Sequence, residues 1–126
     1  MADESRQLLT SPHVQATLLA ETVQTAEVGL LVWDDDRHYV AANAAACALL
    51  GCTLEELLES VVGDRTVEGQ EVVDQVVRER GGRGRVTFER FDGGQATVEY
   101  LTFATRTAGM PHMASVIWPA EEDASS

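Results

Sequence analysis

The chain has 126 residues, 44% of them hydrophobic, with nine arginines, no lysine and a formal net charge of −12. That length suits a single domain with an ordinary core. The charge argues against docking on nucleic-acid phosphates or anionic lipid, both of which need clustered cations, and it makes copies of the chain repel at long range.

No apolar run approaches the roughly 20 residues of a membrane span. The opening MADESRQLL is acidic and lacks a signal-peptide core, so a cytoplasmic location follows by default. Residues 1–10 are expected to be flexible. Ser11-Pro12 reads as a helix start, because Ser caps and Pro in the first turn loses no needed N–H. The predicted helix covers 11–27. Ala16, Leu19, Ala20, Val23 and Ala26 share one stripe, while Val14 and Leu18 fall on another side. Two apolar patches let one helix pack on its own domain and on a partner.

Val28–Trp33 is an apolar run rich in β-formers, expected to be a central antiparallel strand because both faces are apolar. Asp34-Asp35-Asp36 stops it. Three carboxylates raise a metal site, but consecutive side chains do not converge unless a loop wraps an ion, so the reading is a solvated turn. Residues 38–42 return as a second strand. Asn43 stands as the N-cap of a helix Ala44–Leu50, and Gly51 as its C-cap. Thr53-Leu54-Glu55-Glu56 is a capping box, opening a helix whose apolar face is Leu54, Leu57 and Leu58. Cys47 and Cys52 have no histidine at metal-ligand spacing and read as reduced core thiols. Ser60–Thr66 carries no clear pattern.

Glu68–Arg80 reads as a helix with one broad face of Val72, Val73, Val76 and Val77, supported by an Asp74–Arg78 pair at i,i+4 and ended by Gly81-Gly82. Three strands follow. Arg85–Phe91 places Val86 and Phe88 on one face, and Asp92-Gly93-Gly94 turns the chain. Thr97–Arg106 places Val98 and Tyr100 on one face and Leu101 and Phe103 on the other; both faces are therefore expected to be covered. Gly109-Met110-Pro111 breaks the run, Met113–Trp118 is the last strand, and 120–126 is expected to be a disordered acidic tail. The predicted class is α+β: a single domain over 11–119, with a five-stranded antiparallel sheet, short helices on one face and a flanking N-terminal helix.

This order resembles a PAS (Per-Arnt-Sim) sensor domain over roughly residues 20–119. The VGLLVWDDDRHYVAAN run matches an apolar strand, acidic turn, short strand and asparagine. Ala44–Gly51 and Thr53–Leu58 look like the next two helices, and Asp92-Gly93 like the hairpin joining strands three and four. The resemblance implies a signal-input and dimerisation module that holds a small ligand or cofactor between sheet and helices, or holds none and serves assembly. It also supplies tests for cofactors. A photoreactive flavin type carries a cysteine after the second lid helix, where this chain reads Glu59-Ser60-Val61-Val62-Gly63-Asp64-Arg65. Haem types place a histidine on the long helix or just before it; here His38 and His112 lie elsewhere. Trp118 lies where some haem types place a gas-contacting tryptophan, but it reads as a core or dimer-face residue. No cofactor and no metal is predicted, and no nucleophile–base set or phosphate loop supports catalysis.

The expected pocket is lined by Leu31, Trp33, Asn43, Leu50, Leu57, Val73, Val76, Val77, Phe88, Tyr100, Val116 and Trp118, with Asn43 and Tyr100 as its polar groups. The expected homodimer interface is Leu19, Val23 and Ala26 with Leu101 and Phe103. A small apolar ligand and a signalling protein are the expected partners. The family's usual Asp-Ile-Thr-type ending is replaced by Trp118-Pro119-Ala120-Glu121. Two origins stay open, a stand-alone module or an input domain from a longer chain. Two alternatives stand beside the sensory reading: a ligand-free assembly module, and a small α+β enzyme or ligand carrier only superficially similar to the family.

Overall fold

The computed structural model describes residues 11–107 and 109–120. The regions read as a flexible N-terminus, 1–10, and as the tail beyond Ala120 lie outside them. Helix α1 (Pro12–Thr25) leads into strands β1 (Gly29–Trp33) and β2 (Tyr39–Ala42). Helices α2 (Ala44–Leu50), α3 (Leu54–Leu58) and α4 (Gln70–Glu79) follow, then strands β3 (Gly81–Glu89), β4 (Gln95–Thr107) and β5 (Met110–Pro119). The strands form one antiparallel sheet in the order β2-β1-β5-β4-β3. The class is α+β, with β1 in the sheet interior between β2 and β5.

Local chemistry sets most boundaries. Ser11 Oγ accepts the Val14 N–H at 3.3 Å. Thr53 and Glu56 exchange the two bonds of a capping box. Gly51 ends α2 in the left-handed region, at φ 69. Three expectations need correction. The α4–β3 junction has no loop: Arg80 ends the helix at φ 58, donating its N–H to Val76 and Val77, and Gly81 already belongs to β3. A Cβ at Gly81 would stand 2.9 Å from the Thr102 carbonyl oxygen, so this junction requires glycine. Pro111 lies within β5 rather than breaking the chain; it pairs with Arg106 beyond the last β1 partner, Met113, so its missing N–H interrupts only a two-stranded stretch. Asp74 is held by Arg37 of the β1–β2 turn at 2.7 Å instead of by Arg78.

The core gathers Leu31, Trp33, Tyr39, Ala46, Leu50, Leu57, Val73, Val76, Phe88 and Ile117 between the sheet and the helices. Helix α2 lies against β1 at Gly29, where an added Cβ would come 2.9 Å from Ala46 Cα. The segment 60–68, of which Ser60–Thr66 shows no clear pattern in sequence and Glu68 belongs to the expected helix that instead starts at Gln70, is a strap across the helical side. At one end Tyr39 donates its N–H to Ser60 (3.3 Å), His38 bridges Val61 and Val62 donates to Arg37 (2.8 Å). At the other, Glu89 donates to Arg65 (2.8 Å), Thr66 bridges Phe88 and Val67 donates to Thr87 (2.9 Å). The strap thus pairs with both edge strands, β2 and β3, which otherwise present unpaired backbone groups. Among the described residues no helix is long and apolar enough to cross a membrane.

Candidate functional site

An inner cavity of about 80 Å³ lies between the sheet, α2, α4 and the strap. Alternation along the strands delivers its floor. Leu31 and Trp33 come from β1, Tyr39 from β2, Val86 and Phe88 from β3, Val98, Tyr100 and Thr102 from β4, and Ser115 and Ile117 from β5. Leu50 of α2, Val72, Val73 and Val76 of α4, and Val62 and Thr66 of the strap complete it. No Asp, Glu, Arg or His lines this space.

Of the expected pocket residues, Leu31, Trp33, Leu50, Val73, Val76, Phe88 and Tyr100 line the cavity. Five do not. Directly opposed residues share a face; Leu31 opposes Ser115 and Tyr100 opposes Ile117, so Val116 and Trp118 point to the other side of the sheet. Trp118 there donates its Nε1–H to Glu99 at 2.9 Å. Val77 lies at the exposed edge of the α4 valine face, beside a second hollow shared with Asp34, Asp35, Arg80 and His112. Leu57 is fully buried beneath α3 without reaching the cavity. Asn43 is buried as a clamp. Its Oδ1 accepts the N–H groups of Ala46 (3.0 Å) and Leu30 (2.9 Å), and its Nδ2 donates to the carbonyls of Val23 (2.7 Å) and Val28 (3.0 Å).

The sequence reading missed Tyr39, Val62, Thr66, Val72, Val86, Val98, Thr102, Ser115 and Ile117 as lining residues. For Thr102 a signal existed, since it continues the alternation of Val98 and Tyr100. Tyr39, Thr66, Tyr100, Thr102 and Ser115 bring hydroxyls to the lining, and Thr102 and Ser115 pair into a buried polar spot. Trp33 donates its Nε1–H to Ser115 Oγ at 3.1 Å, and Ser115 Oγ stands 2.8 Å from Thr102 Oγ1. The Tyr39 phenol is raised far above its ordinary range by burial, then by the nearby Cys52 and Asp64. Tyr100 is raised by burial, then by Glu68.

Helix α4 is anchored over the cavity by the β1–β2 turn. Arg37, in the left-handed region at φ 67, bonds Gln70 Oε1 (2.9 Å) as well as Asp74. Gln70 in turn donates to Val62 O (2.9 Å) and Asp64 (3.1 Å) of the strap. In the same turn Asp34 Oδ1 accepts the N–H groups of Asp36 and His38 at 2.9 and 3.0 Å, the bonding of an aspartate turn. Ligand atoms of Asp34, Asp36 and His38 lie within 4.8 Å of one another on the surface.

Among the described residues neither Cys47 nor Cys52 lines the cavity, nor does any histidine, so no side chain there offers a thiol or imidazole to a flavin or haem. Both cysteines are free thiols, Cys47 within α2 and Cys52 between α2 and α3, and burial followed by Cys47 pushes Cys52 up to about 11.

The residues expected at a dimer interface divide. Leu19 is 63% exposed on α1, and Leu101 and Phe103 are each 44% exposed on the outer sheet face. Val23 and Ala26 are half-buried where α1 meets its own domain. Within one chain, and among the described residues, the outer face is therefore partly open at Leu101 and Phe103.

A family model described as "PAS fold" matches residues 17–117. No curated protein matches the sequence. Among solved structures, the PAS domain of an HTR-like protein from Haloarcula marismortui is 17% identical with a TM-score of 0.75, over 95% of this chain and 100% of that one. A domain of a sensory box sensor histidine kinase/response regulator from Geobacter sulfurreducens is 21% identical with a TM-score of 0.73, over 86% and 97%. An RNA-binding light-oxygen-voltage receptor is 18% identical with a TM-score of 0.76, over 88% of this chain and 35% of that one.

Proposed function

The chain belongs to the PAS fold family, and from that premise we propose that it is a sensory, signal-input module holding a small apolar ligand in the inner cavity. The observation that carries this reading is the uncharged cavity between the sheet and an anchored α4; mostly apolar concave sites with a few polar groups are the usual form of small-molecule sites. Family membership means that the likeness to this family is not superficial. Occupancy would reach a second copy, or a partner protein, through the sheet. Thr102 faces the cavity between Leu101 and Phe103, which face outward, so a shift of β4 moves both surfaces together.

A second reading, a ligand-free assembly module, draws on the small size of the cavity. Absorbance and native mass spectra of freshly purified protein separate the two. The sensory reading expects a colourless chain carrying an added small mass that denaturation removes. A bare chain mass, with no thermal stabilisation by small neutral compounds, selects the assembly module. A strong visible band would overturn the absence of haem or flavin.

A further inference from the structure

The polar spot of the cavity has one donor hydrogen too many. Trp33 Nε1–H, Ser115 O–H and Thr102 O–H supply three hydrogens, and the two bonds among them use two. If Thr102 donates to Ser115, the Ser115 hydrogen remains; if Ser115 donates, the Thr102 hydrogen remains. Among the described residues neither hydroxyl has a further partner, although Thr102 is only 5% exposed and Ser115 6%. A buried donor left unmade costs free energy, and both hydroxyl groups border the cavity.

Two further limits come from the walls. With no charged residue lining the space, an ionised ligand would lose its hydration without a counter-charge. A cavity of about 80 Å³ favours a compact molecule over an extended one.

We infer that the cavity takes a compact, neutral, largely apolar molecule with one hydrogen-bond acceptor, such as a small ketone, ester or ether, and that the Thr102–Ser115 hydroxyl pair donates to that acceptor. This rests on the sensory reading above and adds the chemical class of its ligand. The uncharged lining makes small carboxylates poor occupants.

The test uses cyclohexanone and methylenecyclohexane, which have seven non-hydrogen atoms each and differ only in C=O against C=CH2. Affinities come from saturable NMR shifts of the Trp33 indole N–H and the Thr102 and Ser115 amides. The ratio of the two affinities is compared between the wild-type chain and the Thr102→Val/Ser115→Val variant, which puts a methyl group in place of each hydroxyl and one further methyl at residue 115. Comparing the ratio between the two proteins cancels the different hydrophobicities of the probes, and their matched shape makes a change in cavity volume act on both. The ratio should shift about tenfold against the ketone in the variant, the loss of one hydrogen bond. Infrared spectra of isotope-labelled cyclohexanone in the wild-type protein need no variant: the bound C=O stretch should lie below its frequency in hydrocarbon solvent. An unshifted stretch or an unchanged ratio would overturn the donor assignment and leave the ligand cavity standing. If neither probe gives a saturable shift, the sensory-ligand reading falls and this inference with it.

Discussion

Asn43 shows how far one side chain reaches beyond its local role. As an N-cap it was legible, because a cap needs only its position between a strand and a helix. Its bonds to Leu30, Val23 and Val28, 13 to 20 residues away, were not, because they exist only once α1 and β1 are folded together. Asn43→Asp keeps the acceptor and loses both donations, setting a carboxylate against two carbonyls. We expect a loss of about 2–3 kcal/mol in urea unfolding and faster hydrogen exchange along α1; unchanged α1 protection would show that the clamp does not hold the helix. Cys52 gives a second prediction at this scale. A thiol titrating at about 11 holds roughly a hundredfold less thiolate at neutral pH than an ordinary one. Alkylation by iodoacetamide in the folded protein should therefore be slow at pH 7.5 and keep rising beyond pH 9. A rate that levels off near pH 8 would contradict the burial of that sulfur.

At the level of elements, type and order were legible and phase was not. The apolar run of β1, the capping box of α3 and the valine face of α4 each announced themselves through local chemistry. On β5 the bulk of Trp118 suggested the inner face, yet register with Leu31 and Tyr100 turns the small Ser115 inward. A slip of one residue exchanges the two faces, and two-sided apolar strands carry no local mark of which is which. Proximity of α2 to β1 was likewise hidden in a single glycine. Gly29→Ala must push Ile117 Cγ1, 2.6 Å from the new methyl carbon, or lift the α2 backbone at Ala46. We expect a loss of about 1–3 kcal/mol, measured as a lower urea midpoint; an unchanged midpoint would mean that α2 yields without cost.

For the whole molecule, charge and apolar surface oppose each other. Under the proposed homodimer, Leu19, Leu101 and Phe103 favour association while two chains of −12 repel. Screening shortens that repulsion to about 8 Å at physiological salt, so the dimer should tighten as ionic strength rises. Light scattering would follow this, with Leu19→Glu and Phe103→Glu each raising the dissociation constant at least tenfold. A monomer at every salt concentration would refute the dimer, and an effect of Phe103→Glu alone would confine the contact to the sheet. The strand order has one more outcome, this time in time rather than space. The first hairpin, β1–β2, finds its other neighbour only in β5; Trp33 and Ser115, bonded in the finished cavity, are 82 residues apart. A chain leaving the ribosome therefore holds Gly29–Trp33 paired on one edge alone, with β2, until residues 113–117 have been synthesised. Such long-range closure is slow and leaves unpaired strand open to other chains, so the interval between the first hairpin and the last strand is when this protein most needs a chaperone.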